Sequence, residues 1–598
     1  MNDKPMFVWQ GNARNVAEVC GKPAREEMFD RNFTVALMLA ELMSVPAGLS
    51  MRIEYNSGKY SREFISQMSE AYENILRQLM AKTFLREIEP YPEGSDALKL
   101  LDTFNENSNP YDDSQTMVSL FRKSARENSE RTAVIFKEKR CTYKQLDEVS
   151  EKIAYYARSK GLGHGDVVSI LIPRNEFMAI ASFGALKAGC AYQPLDPTYP
   201  PERLNFMVKD SAAKLLITTE ELRPLVSDYN GEVLLLNDVD SLPVPSEPLE
   251  DTTRPEDLFI LLYTSGSTGT PKGVRLTHAN LVCFMAWFTR HYAVTSESIA
   301  GVYASYGFDV CMSDLYPALL CGGAVCIIPE ELRLDLVSMN KYFEDNHVTH
   351  SSITTQVGRQ FATDIENHSL KHLTVAGEKL VSLNPPANYQ LHNGYGPTEC
   401  TILATEYLVA SYESNVPIGK PLDNTQIYII DGENHRVPAG ALGEILIAGP
   451  QVADGYLNRP EKTAEVFIDN PFGKGKAYKT GDIARYRQDG NIEFFGRRDM
   501  QVKIRGFRIE LTEVEAVIRD FPGVKDATLA AFDTPDNTGK FIAAYVVGDK
   551  KIDISALNQF IRRFLTALRR NSSKTQYRES LRLTRIYFAG LRPMTRTK

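Results

Sequence analysis

Apolar runs of five to seven residues recur along residues 115–495, with helical segments between them. Five of these runs are Val167–Ile172, Leu258–Tyr263, Ala324–Ile328, His372–Ala376 and Gly443–Ala448. Runs of this length, separated by amphipathic helical patterns, are typical of buried strands in α/β proteins. The sequence therefore predicts an α/β architecture: a large core of layered sheets and helices, with its sheets mostly buried.

Residues 1–100 are predicted to form a separate α/β unit. Leu49–Tyr55 alternates apolar and polar side chains, as a half-buried strand does, and Ser61 opens an amphipathic helical pattern. Residues 101–114 contain a stretch rich in Asn, Pro, Ser and Asp, which predicts a linker to the core at 115–498.

Two further segments follow the core. Residues 499–560 contain two strand-like runs, Asp526–Phe532 and Phe541–Gly548, and are predicted to form a small α+β subdomain. Residues 561–598 carry eleven Arg or Lys against one acid, Glu579. A solvated basic tail is the favoured interpretation. An RNA-binding or membrane-surface segment is the alternative, and it lacks the interleaved aromatic residues of a nucleic-acid platform.

Composition excludes several classes of protein. Hydrophobic residues make up 43% and charged residues 24% of the 598, so a disordered or fibrous chain is excluded. No apolar run approaches the ~20 residues that cross a bilayer, and the net charge of -8 does not favour a polyanionic partner. The eight cysteines form no CxxC pair. We expect a soluble cytoplasmic protein with no nucleic-acid or membrane partner.

The strongest local motif is Leu261-Leu-Tyr-Thr-Ser-Gly-Ser-Thr-Gly-Thr-Pro-Lys-Gly273. A Gly/Ser/Thr loop follows an apolar strand, so its backbone N–H groups and hydroxyls can surround an anion. Lys272 adds a positive charge. The loop is not a Walker A motif, because no Gly-Lys-Ser/Thr follows at the required spacing.

This loop resembles the phosphate loop of the adenylate-forming enzymes, and within them of the adenylation domains of nonribosomal peptide synthetases. Further motifs of that family occur in the expected order over residues 115–550. They are Thr142–Leu146, Leu186–Asp196, Asn393–Glu399, Gly443–Pro450, Tyr478–Asp482 and Gly496–Gly506.

The resemblance implies ATP and Mg²⁺ as cofactors and assigns roles around them. Thr264, Lys272, Thr398, Glu399, Arg497 and Lys503 are the implied catalytic residues, with Glu399 as the Mg²⁺ ligand. Residues implied to bind the nucleotide are Ser265, Gly266, Ser267, Thr268, Gly269, Asn393, Tyr395, Gly396, Asp482 and Arg497. Tyr395 would stack on adenine and Asp482 would accept hydrogen bonds from the ribose hydroxyls.

In this family the activated acyl group then passes to the phosphopantetheine thiol of a carrier protein. The implied hinge for that step is Asp499, which precedes a loop at Lys503–Arg508. No Gly-Gly-x-Ser carrier motif occurs in the sequence. We therefore expect a peptidyl carrier protein on another polypeptide.

The substrate class depends on Asp309, whose carboxylate would pair with the ammonium group of an amino acid. A substrate without the amine would leave that carboxylate unpaired. The other implied pocket residues are Val310, Ser313, Ser352, Thr374, Ala376, Gly394, Ile402 and Leu403. None is charged, and open volume is expected at Ser313, Ser352, Ala376 and Gly394, so we predict a bulky neutral, aromatic amino acid.

The chain also departs from the family pattern. The C-terminal Pro-x-x-x-x-Asn-Gly-Lys-like segment, whose lysine binds the reacting groups, is not found; Lys574 or Lys598 would have to replace it. Residues 1–100 resemble the end of a condensation domain, but no His-His pair occurs. That unit is therefore expected to be a condensation remnant or docking surface.

Three functions remain open. An amino-acid-activating module of a peptide synthetase is the leading hypothesis. An acyl-CoA or D-alanine–carrier ligase is the second, although Asp309 and the condensation-like front end argue against it. The third is an inactive or truncated adenylation module that binds a nucleotide or a partner, which the altered C-terminal tail suggests.

Overall fold

The computed structural model describes most of the chain. The described residues are 6–12, 18–19, 22–23, 38–45, 48–84, 87–89, 91, 94–244, 247–264, 271–381, 383–498, 501–504, 507–533, 540–548, 553, 556–557, 560 and 586–588. The chain divides into two compact units. Unit 1 comprises Met1–Thr103 and Asp431–Ala441, and unit 2 comprises Phe104–Ile430 and Leu442–Lys598.

In the described part of unit 1 there are two small sheets and two helices. Its elements are β1 (Met6–Asn12), β2 (Glu18–Val19), β3 (Lys22–Pro23), β4 (Met38–Val45), β5 (Gly48–Tyr55), α1 (Arg62–Leu79) and α2 (Asp96–Thr103). The sheet order is β1-β4-β5, with β1 parallel to β4, and β2 pairs with β3. The Ser61 hydroxyl accepts a hydrogen bond from the Phe64 N–H and caps α1. The predicted strand at Leu49–Tyr55 and the helix start at Ser61 are confirmed.

Unit 2 alternates strands and helices over most of its length. Its strands are β6 (Thr132–Phe136), β7 (Lys139–Thr142), β8 (Val167–Leu171), β9 (Ala191–Leu195), β10 (Leu215–Thr218), β11 (Glu232–Leu235), β12 (Leu258–Thr264), β13 (Lys272–Thr277), β14 (Ile299–Val302), β15 (Ala324–Ile327), β16 (His350–Thr354), β17 (His372–Ala376), β18 (Gln390–Tyr395), β19 (Thr405–Leu408), β20 (Lys420–Pro421), β21 (Gln426–Ile430), β22 (Gly443–Ala448), β23 (Phe467–Asp469), β24 (Lys476–Tyr486), β25 (Ile492–Arg497), β26 (Gln501–Ile504), β27 (Phe507–Glu510), β28 (Val524–Asp533), β29 (Lys540–Gly548) and β30 (Ile586–Phe588).

The helices of unit 2 separate these strands. They are α3 (Met117–Glu127), α4 (Tyr143–Ser159), α5 (Phe177–Lys187), α6 (Pro201–Asp210), α7 (His278–His291), α8 (Val310–Leu315), α9 (Pro317–Leu320), α10 (Leu336–Asp345), α11 (Thr355–Asp364), α12 (Pro460–Val466) and α13 (Leu511–Arg519). Within the part of the chain that the structure describes, no helix is both long and apolar enough to cross a membrane.

Two large sheets form the centre of unit 2. One has six strands in the order β11-β10-β8-β9-β12-β13, and the other has nine in the order β20-β19-β18-β17-β16-β14-β15-β6-β7. Pairing is parallel from β11 to β12 and from β18 to β6, and antiparallel at the edges. Every residue of β8 and of β15 is buried. Parallel strands buried on both faces confirm the predicted α/β architecture.

Smaller sheets follow along the chain. β21, β22, β24 and β23 form one with β25 beside β24, β26 pairs with β27, and β28, β29 and β30 form another. The predicted strands Asp526–Phe532 and Phe541–Gly548 are confirmed as β28 and β29. Within the predicted tail, the structure describes only β30, which runs parallel to β29. The remainder of residues 561–598 lies outside the described residues.

Two asparagines of the predicted linker, Asn105 and Asn107, belong to unit 2 and bond to its backbone. Both the Asn105 side-chain amide oxygen and nitrogen bond to the backbone of Ile427, at 2.8 and 2.9 Å. Asn107 Nδ2 donates to the carbonyl of Thr425 at 2.7 Å. These bonds satisfy backbone groups that a free linker would leave to solvent.

Two of the quoted motifs have a clear role in folding. The Thr142 hydroxyl accepts from the Gln145 N–H while the Gln145 side chain accepts from the Thr142 N–H, which caps α4. Lys187, fully buried in α5, pairs with Asp147 and Glu151 at 2.5 and 3.2 Å. These contacts give Thr142, Gln145 and Lys187 a role in the fold.

Candidate active site

The predicted phosphate loop joins two neighbouring strands. β12 ends at Thr264 and β13 begins at Lys272, and these two residues are register partners across the antiparallel pair. The loop between them includes Ser265, Gly266, Ser267, Thr268 and Gly269, all of which lie outside the described residues. The Thr264 hydroxyl is buried and has no hydrogen-bond partner among the residues that the structure describes.

Lys272, Glu399 and Tyr456 form one buried cluster. Lys272 Nζ lies 3.0 Å from Glu399 Oε1 and 2.7 Å from the Tyr456 hydroxyl, which itself lies 2.7 Å from the same carboxylate oxygen. Glu399 is fully buried, so its charge depends on these partners. Burial, and then the nearby Glu399 charge, raise the pKa of Tyr456 well above its usual range, so the phenol is a hydrogen-bond donor.

The segment around Tyr456 is held against β13 by the backbone. The Arg275 N–H donates to the Gly455 carbonyl at 3.0 Å, and the Leu457 N–H donates to the Gly273 carbonyl at 2.8 Å. Gly455 has φ of +113°, and a Cβ there would lie 2.5 Å from Thr463 Cγ2. Glycine is therefore required immediately before the tyrosine.

Asp309 and Thr398 meet across the site. The Thr398 hydroxyl donates to Asp309 Oδ2 at 2.5 Å, and Asp309 Oδ1 accepts from the Val310 N–H at 2.8 Å. Asp309 thus caps the short helix α8 and also reaches the turn at Thr398–Cys400 that follows β18. Both residues come from segments that the resemblance assigned to one site, and the structure brings them together.

Tyr395, Asp482 and Arg497 form a third group. The Tyr395 hydroxyl donates to Asp482 Oδ2 at 2.6 Å, and Arg497 donates to Asp482 Oδ1 at 3.1 Å. Asp482 and Arg497 are register partners on β24 and β25, which explains their proximity. Burial, followed by the Asp482 charge, raises the pKa of Tyr395 well above its usual range.

The predicted pocket residues come from adjacent strands and from α8. Ser352, Thr374 and His392 are register partners across β16, β17 and β18. Two residues further along the strands, Ala376 is the partner of Gly394. Neighbouring strands therefore align these side chains in rows. The remaining members are Val310 and Ser313 on α8, and Ile402 and Leu403 after the turn.

Hydroxyl groups line part of this region. Ser313 Oγ lies 3.1 Å from Ser352 Oγ, and Thr374 Oγ1 lies 3.1 Å from the Tyr292 hydroxyl. Space beside Gly394 is already filled, because a Cβ there would lie 2.8 Å from Leu403 Cδ2. The expectation of open volume at Gly394 is therefore wrong, and Leu403 is the reason.

The backbone is strained between Glu399 and Leu403, where the chain leaves the turn at Thr398–Cys400. Thr401 and Ile402 have φ of +58° and +74°, which β-branched residues rarely adopt. The Thr401 hydroxyl donates to the Gln451 carbonyl at 2.6 Å and helps to hold this geometry. A Cβ at Gly396 would lie 2.5 Å from the Ile402 carbonyl oxygen, so this turn packs directly on the glycine.

Three further predicted residues, Asn393, Lys503 and Asp499, are not placed in these groups by the described contacts. Asn393 Nδ2 donates to the Pro417 carbonyl at 2.7 Å, a contact within the fold. Lys503 lies on β26 opposite Arg508 of β27, and its side chain is outside the described residues. Asp499, the predicted hinge, is also outside them. Its role stays a prediction.

A profile of the AMP-binding enzyme family matches residues 121–457, more than half of the chain. The chain belongs to the AMP-binding enzyme family.

This AMP-binding enzyme is similar to parts of larger proteins. Bacitracin synthase 1 of Bacillus licheniformis is 35% identical over 531 residues, which cover 88% of this chain and 10% of that protein. This chain thus spans about a tenth of the length of that relative.

Solved structures of nonribosomal peptide synthetases resemble the fold. A holo four-domain synthetase bound to AMP and glycine matches with a TM-score of 0.66 and 26% identity, over 94% of this chain and 41% of that chain. An artificially fused adenylation–PCP di-domain from Klebsiella oxytoca matches with a TM-score of 0.68 and 25% identity, over 76% and 92%.

Sequence reasoning missed two buried residues of the AMP-binding enzyme's site region. Tyr456 was not predicted, since a Tyr after a Gly, beyond the strand Gly443–Ala448, gives no sign of a contact with Lys272. Asp314 was also missed. It is fully buried in α8, where burial raises the pKa of its carboxyl well above the usual range, and Oδ1 accepts from the Ser352 N–H at 2.9 Å.

Proposed function

We propose that this AMP-binding enzyme activates an amino acid as an aminoacyl-adenylate and releases pyrophosphate. One observation carries the proposal. Consecutive residues of a single turn contact two different groups: Thr398 bonds to Asp309, and Glu399 pairs with Lys272. A carboxylate suited to an ammonium group and a lysine suited to phosphate thus adjoin the same turn.

Asp309 is the proposed partner of the substrate ammonium group. A carboxylate that accepts from a backbone N–H and a hydroxyl can accept a further charge-assisted hydrogen bond from an ammonium group. An amine-free acid would leave this carboxylate without its counter-charge, which costs several kcal/mol when the pair is desolvated. This preference separates amino acids from fatty acids.

Lys272 and Glu399 are the proposed residues at the phosphate end. The Lys272 ammonium supplies positive charge at the start of β13, directly after the predicted phosphate loop. The Glu399 carboxylate is the kind of oxygen donor that Mg²⁺ takes together with substrate phosphates, so the residues present fit this ion. When bound, Mg²⁺ neutralises charge that develops on the phosphoryl oxygens.

Asp482 is the proposed acceptor for the ribose hydroxyls. Tyr395 and Arg497 each donate to one of its oxygens, which fixes the orientation of the carboxylate. The same Tyr395 ring offers a face for adenine, as the resemblance implies. The nucleoside is thus proposed to lie between β18 and the β24–β25 pair.

The proposed reaction follows from these positions. A carboxylate oxygen of the amino acid attacks the α-phosphorus of ATP, a new P–O bond forms, and the bond to the pyrophosphate oxygen breaks. No proton has to move, because the nucleophile is already an anion. Thr398 and Lys272, which donate to Asp309 and to Glu399 in this structure, are proposed to donate to the phosphoryl oxygens once ATP is bound. This electrostatic stabilisation is the main contribution we expect from the protein.

The second proposed step transfers the aminoacyl group to a phosphopantetheine thiol on a separate peptidyl carrier protein. The thiol gives up its proton to solvent, its sulfur forms a thioester bond to the acyl carbon, and the bond from that carbon to the phosphate oxygen breaks, so that AMP leaves. The fused adenylation–PCP structure supports a carrier as the partner class. We propose that Lys503 enters the site after rotation about Asp499, as the family pattern implies.

The proposed side-chain class is bulky and neutral, with aromatic amino acids favoured. Its support is the uncharged pocket, which contains Ser313, Ser352, Thr374 and Ala376. Because Leu403 fills the space at Gly394, the volume for such a side chain has to lie nearer Ser313 and Ala376. A charged side chain would find no counter-ion among the predicted pocket residues.

The first 100 residues are proposed to be a condensation-domain remnant. The four-domain synthetase structure supports this, since its match covers 94% of the chain and so includes most of unit 1. The domain boundaries at 101–114, 115–498, 499–560 and 561–598 likewise remain proposals.

ATP–pyrophosphate exchange tests the activity. Exchange that depends on an amino acid supports the proposal, whereas dependence on a fatty acid or on CoA favours an acyl-CoA ligase. Retained ATP binding without exchange would identify an inactive module. Comparing all twenty amino acids tests the side-chain class, and a clear preference for Lys, Asp or Gly would reject it.

A further inference from the structure

Two histidines and a glutamate meet at one edge of the nine-stranded sheet. His392 lies on β18, Glu406 on the neighbouring β19, and His291 at the C-terminal end of α7. Glu406 is the register partner of Gly394, two residues beyond His392 on β18. Residues two apart on a strand point to the same face, so the histidine and the glutamate are diagonal neighbours.

Glu406 contacts both imidazoles with separate oxygens. Oε1 bonds to His392 Nδ1, and Oε2 lies 3.0 Å from His291 Nε2. One donor atom from each residue can be chosen so that all three lie within 4.8 Å of one another. Donor atoms around a tetrahedral Zn²⁺ with bonds of about 2.0–2.2 Å are about 3.3–3.6 Å apart. The two histidine–glutamate contacts therefore have to lengthen, and any wider pair of donor atoms has to close in, by shifts of about 1 Å.

We propose that His291, His392 and Glu406 form a binding site for Zn²⁺ or a similar divalent transition metal. Two imidazoles and one carboxylate are a donor set that suits zinc, with a fourth position left to water. Mg²⁺ and Ca²⁺ are disfavoured because they require mostly oxygen ligands. This site is separate from the Glu399 carboxylate proposed for Mg²⁺ and does not depend on the proposed function.

The three proposed ligands differ in their exposure to solvent. The side chains of His392 and Glu406 are 3% and 8% exposed, whereas that of His291 is 37% exposed. An ion can therefore arrive from the His291 side and find the other two ligands already in place. Preformed, buried ligands lose little conformational entropy on binding.

A third histidine supports the orientation of His392. His372 Nδ1 lies 3.1 Å from His392 Nε2, the ring nitrogen that the metal would not use. Metal-bound histidines commonly hold their other ring nitrogen in such a bond. The Tyr292 ring also contacts both rings, at centroid distances of 5.2 Å to His372 and 5.0 Å to His392.

Titration of the tag-free, chelator-treated full chain with Zn²⁺ and with Co²⁺ tests the site. Calorimetry is expected to show one Zn²⁺ bound per chain. In His291→Ala and in Glu406→Gln, the affinity for Zn²⁺ is expected to fall at least ~10-fold. Co²⁺ is expected to give visible absorption bands of a low-coordinate site, which disappear in the same variants. Each variant's melting curve without metal shows whether it is folded.

His368→Ala is the matched control. His368 is exposed and lies 3.9 Å from Glu366, so it offers a histidine–glutamate pair without a buried third ligand. It is expected to bind Zn²⁺ and Co²⁺ as the unaltered chain does. Absence of metal binding in the unaltered chain, or equal binding in folded His291→Ala and Glu406→Gln, would overturn the proposal.

Discussion

The hydroxyl of Thr398 donates a hydrogen bond to Asp309 Oδ2 at 2.5 Å, across 89 positions of sequence. The residue after Thr398 is Glu399, which pairs with Lys272 at 3.0 Å. One short turn therefore links the proposed amine-binding carboxylate to the proposed phosphate-binding lysine. Any displacement of this turn is expected to disturb both ends of the bound substrates.

Replacing Asp309 by Asn is expected to reduce kcat/KM for the amino acid by about 100-fold or more. The amide oxygen keeps the acceptor for the Val310 N–H, and the amide NH₂ can donate to the Thr398 hydroxyl oxygen. The change removes the charge that the ammonium group requires, a loss of about 3–5 kcal/mol for a desolvated pair. Amino-acid-dependent pyrophosphate exchange measures the effect. Asp335→Asn is the control, because Asp335 caps α10 in the same way through Ser338. Equal activity of the two variants would contradict the role of Asp309.

Replacing Tyr456 by Phe is expected to lower kcat about 10- to 100-fold while leaving the fold intact. The phenol bonds to both Lys272 and Glu399, and a hydrogen bond to a charged group contributes about 1.5–3 kcal/mol. Exchange rates at saturating ATP and amino acid give the value. Tyr389→Phe provides the comparison, since the buried Tyr389 hydroxyl has no hydrogen-bond partner among the described residues. A Tyr456→Phe enzyme as active as Tyr389→Phe would refute the contribution.

Replacing Asp482 by Asn is expected to raise the KM for ATP about 10-fold or more, because a charged acceptor for the ribose hydroxyls is lost. The sharper measurement compares ATP with its 2′- and 3′-deoxy analogues. The unaltered enzyme should prefer ATP, and the variant should lose most of that preference. Asp489→Asn, in an exposed turn where Asp489 accepts from Asn491, should keep it. Unchanged discrimination in Asp482→Asn would rule out the ribose contact.

We expect His278 to lower the free energy of unfolding as the pH falls below about 6.5. Burial lowers its pKa to about 3, and its Nδ1 accepts from the Met117 N–H at 3.2 Å. Below pH 6.5 the unfolded chain takes up a proton that the folded chain refuses, so stability declines by about 1.4 kcal/mol per pH unit until pH 3. Above pH 6.5 the residue is neutral in both states and has no effect.

Urea denaturation at pH 7 and pH 5 measures this dependence. The unaltered chain should lose about 2 kcal/mol more than His278→Asn over that interval. His368→Asn, which alters an exposed histidine, should behave as the unaltered chain. An identical pH dependence for all three proteins would show that His278 does not carry the effect.

Local sequence patterns identified several of the strands but not the contacts between them. The apolar run at Leu258–Tyr263 predicted β12 within one residue, because burial on both faces of a parallel sheet leaves a continuous apolar signature. The Asn-rich stretch before residue 115 was predicted to be a linker. Its composition does not distinguish a solvated segment from one whose asparagines bond to the backbone of Ile427 and Thr425.

In the candidate site, too, residues within motifs were predicted and contacts made by tertiary packing were not. Lys272, Glu399, Asp309 and Asp482 could be assigned because each lies in a recognisable family motif. The contact of Tyr456 with Lys272 and the cluster of His291, His392 and Glu406 depend on tertiary packing, and no spacing in the chain predicts them. The error at Gly394 has a similar origin, since a missing side chain in the sequence says nothing about a neighbour such as Leu403.

A crystal structure of the full chain with its preferred amino acid and a non-hydrolysable ATP analogue would decide the main question directly. We predict that the ammonium nitrogen lies within about 3 Å of the Asp309 carboxylate. In the same complex, the phosphates should lie beside Lys272 and Glu399 and the ribose beside Asp482. Ligands bound elsewhere, or with the amino group turned away from Asp309, would contradict the account.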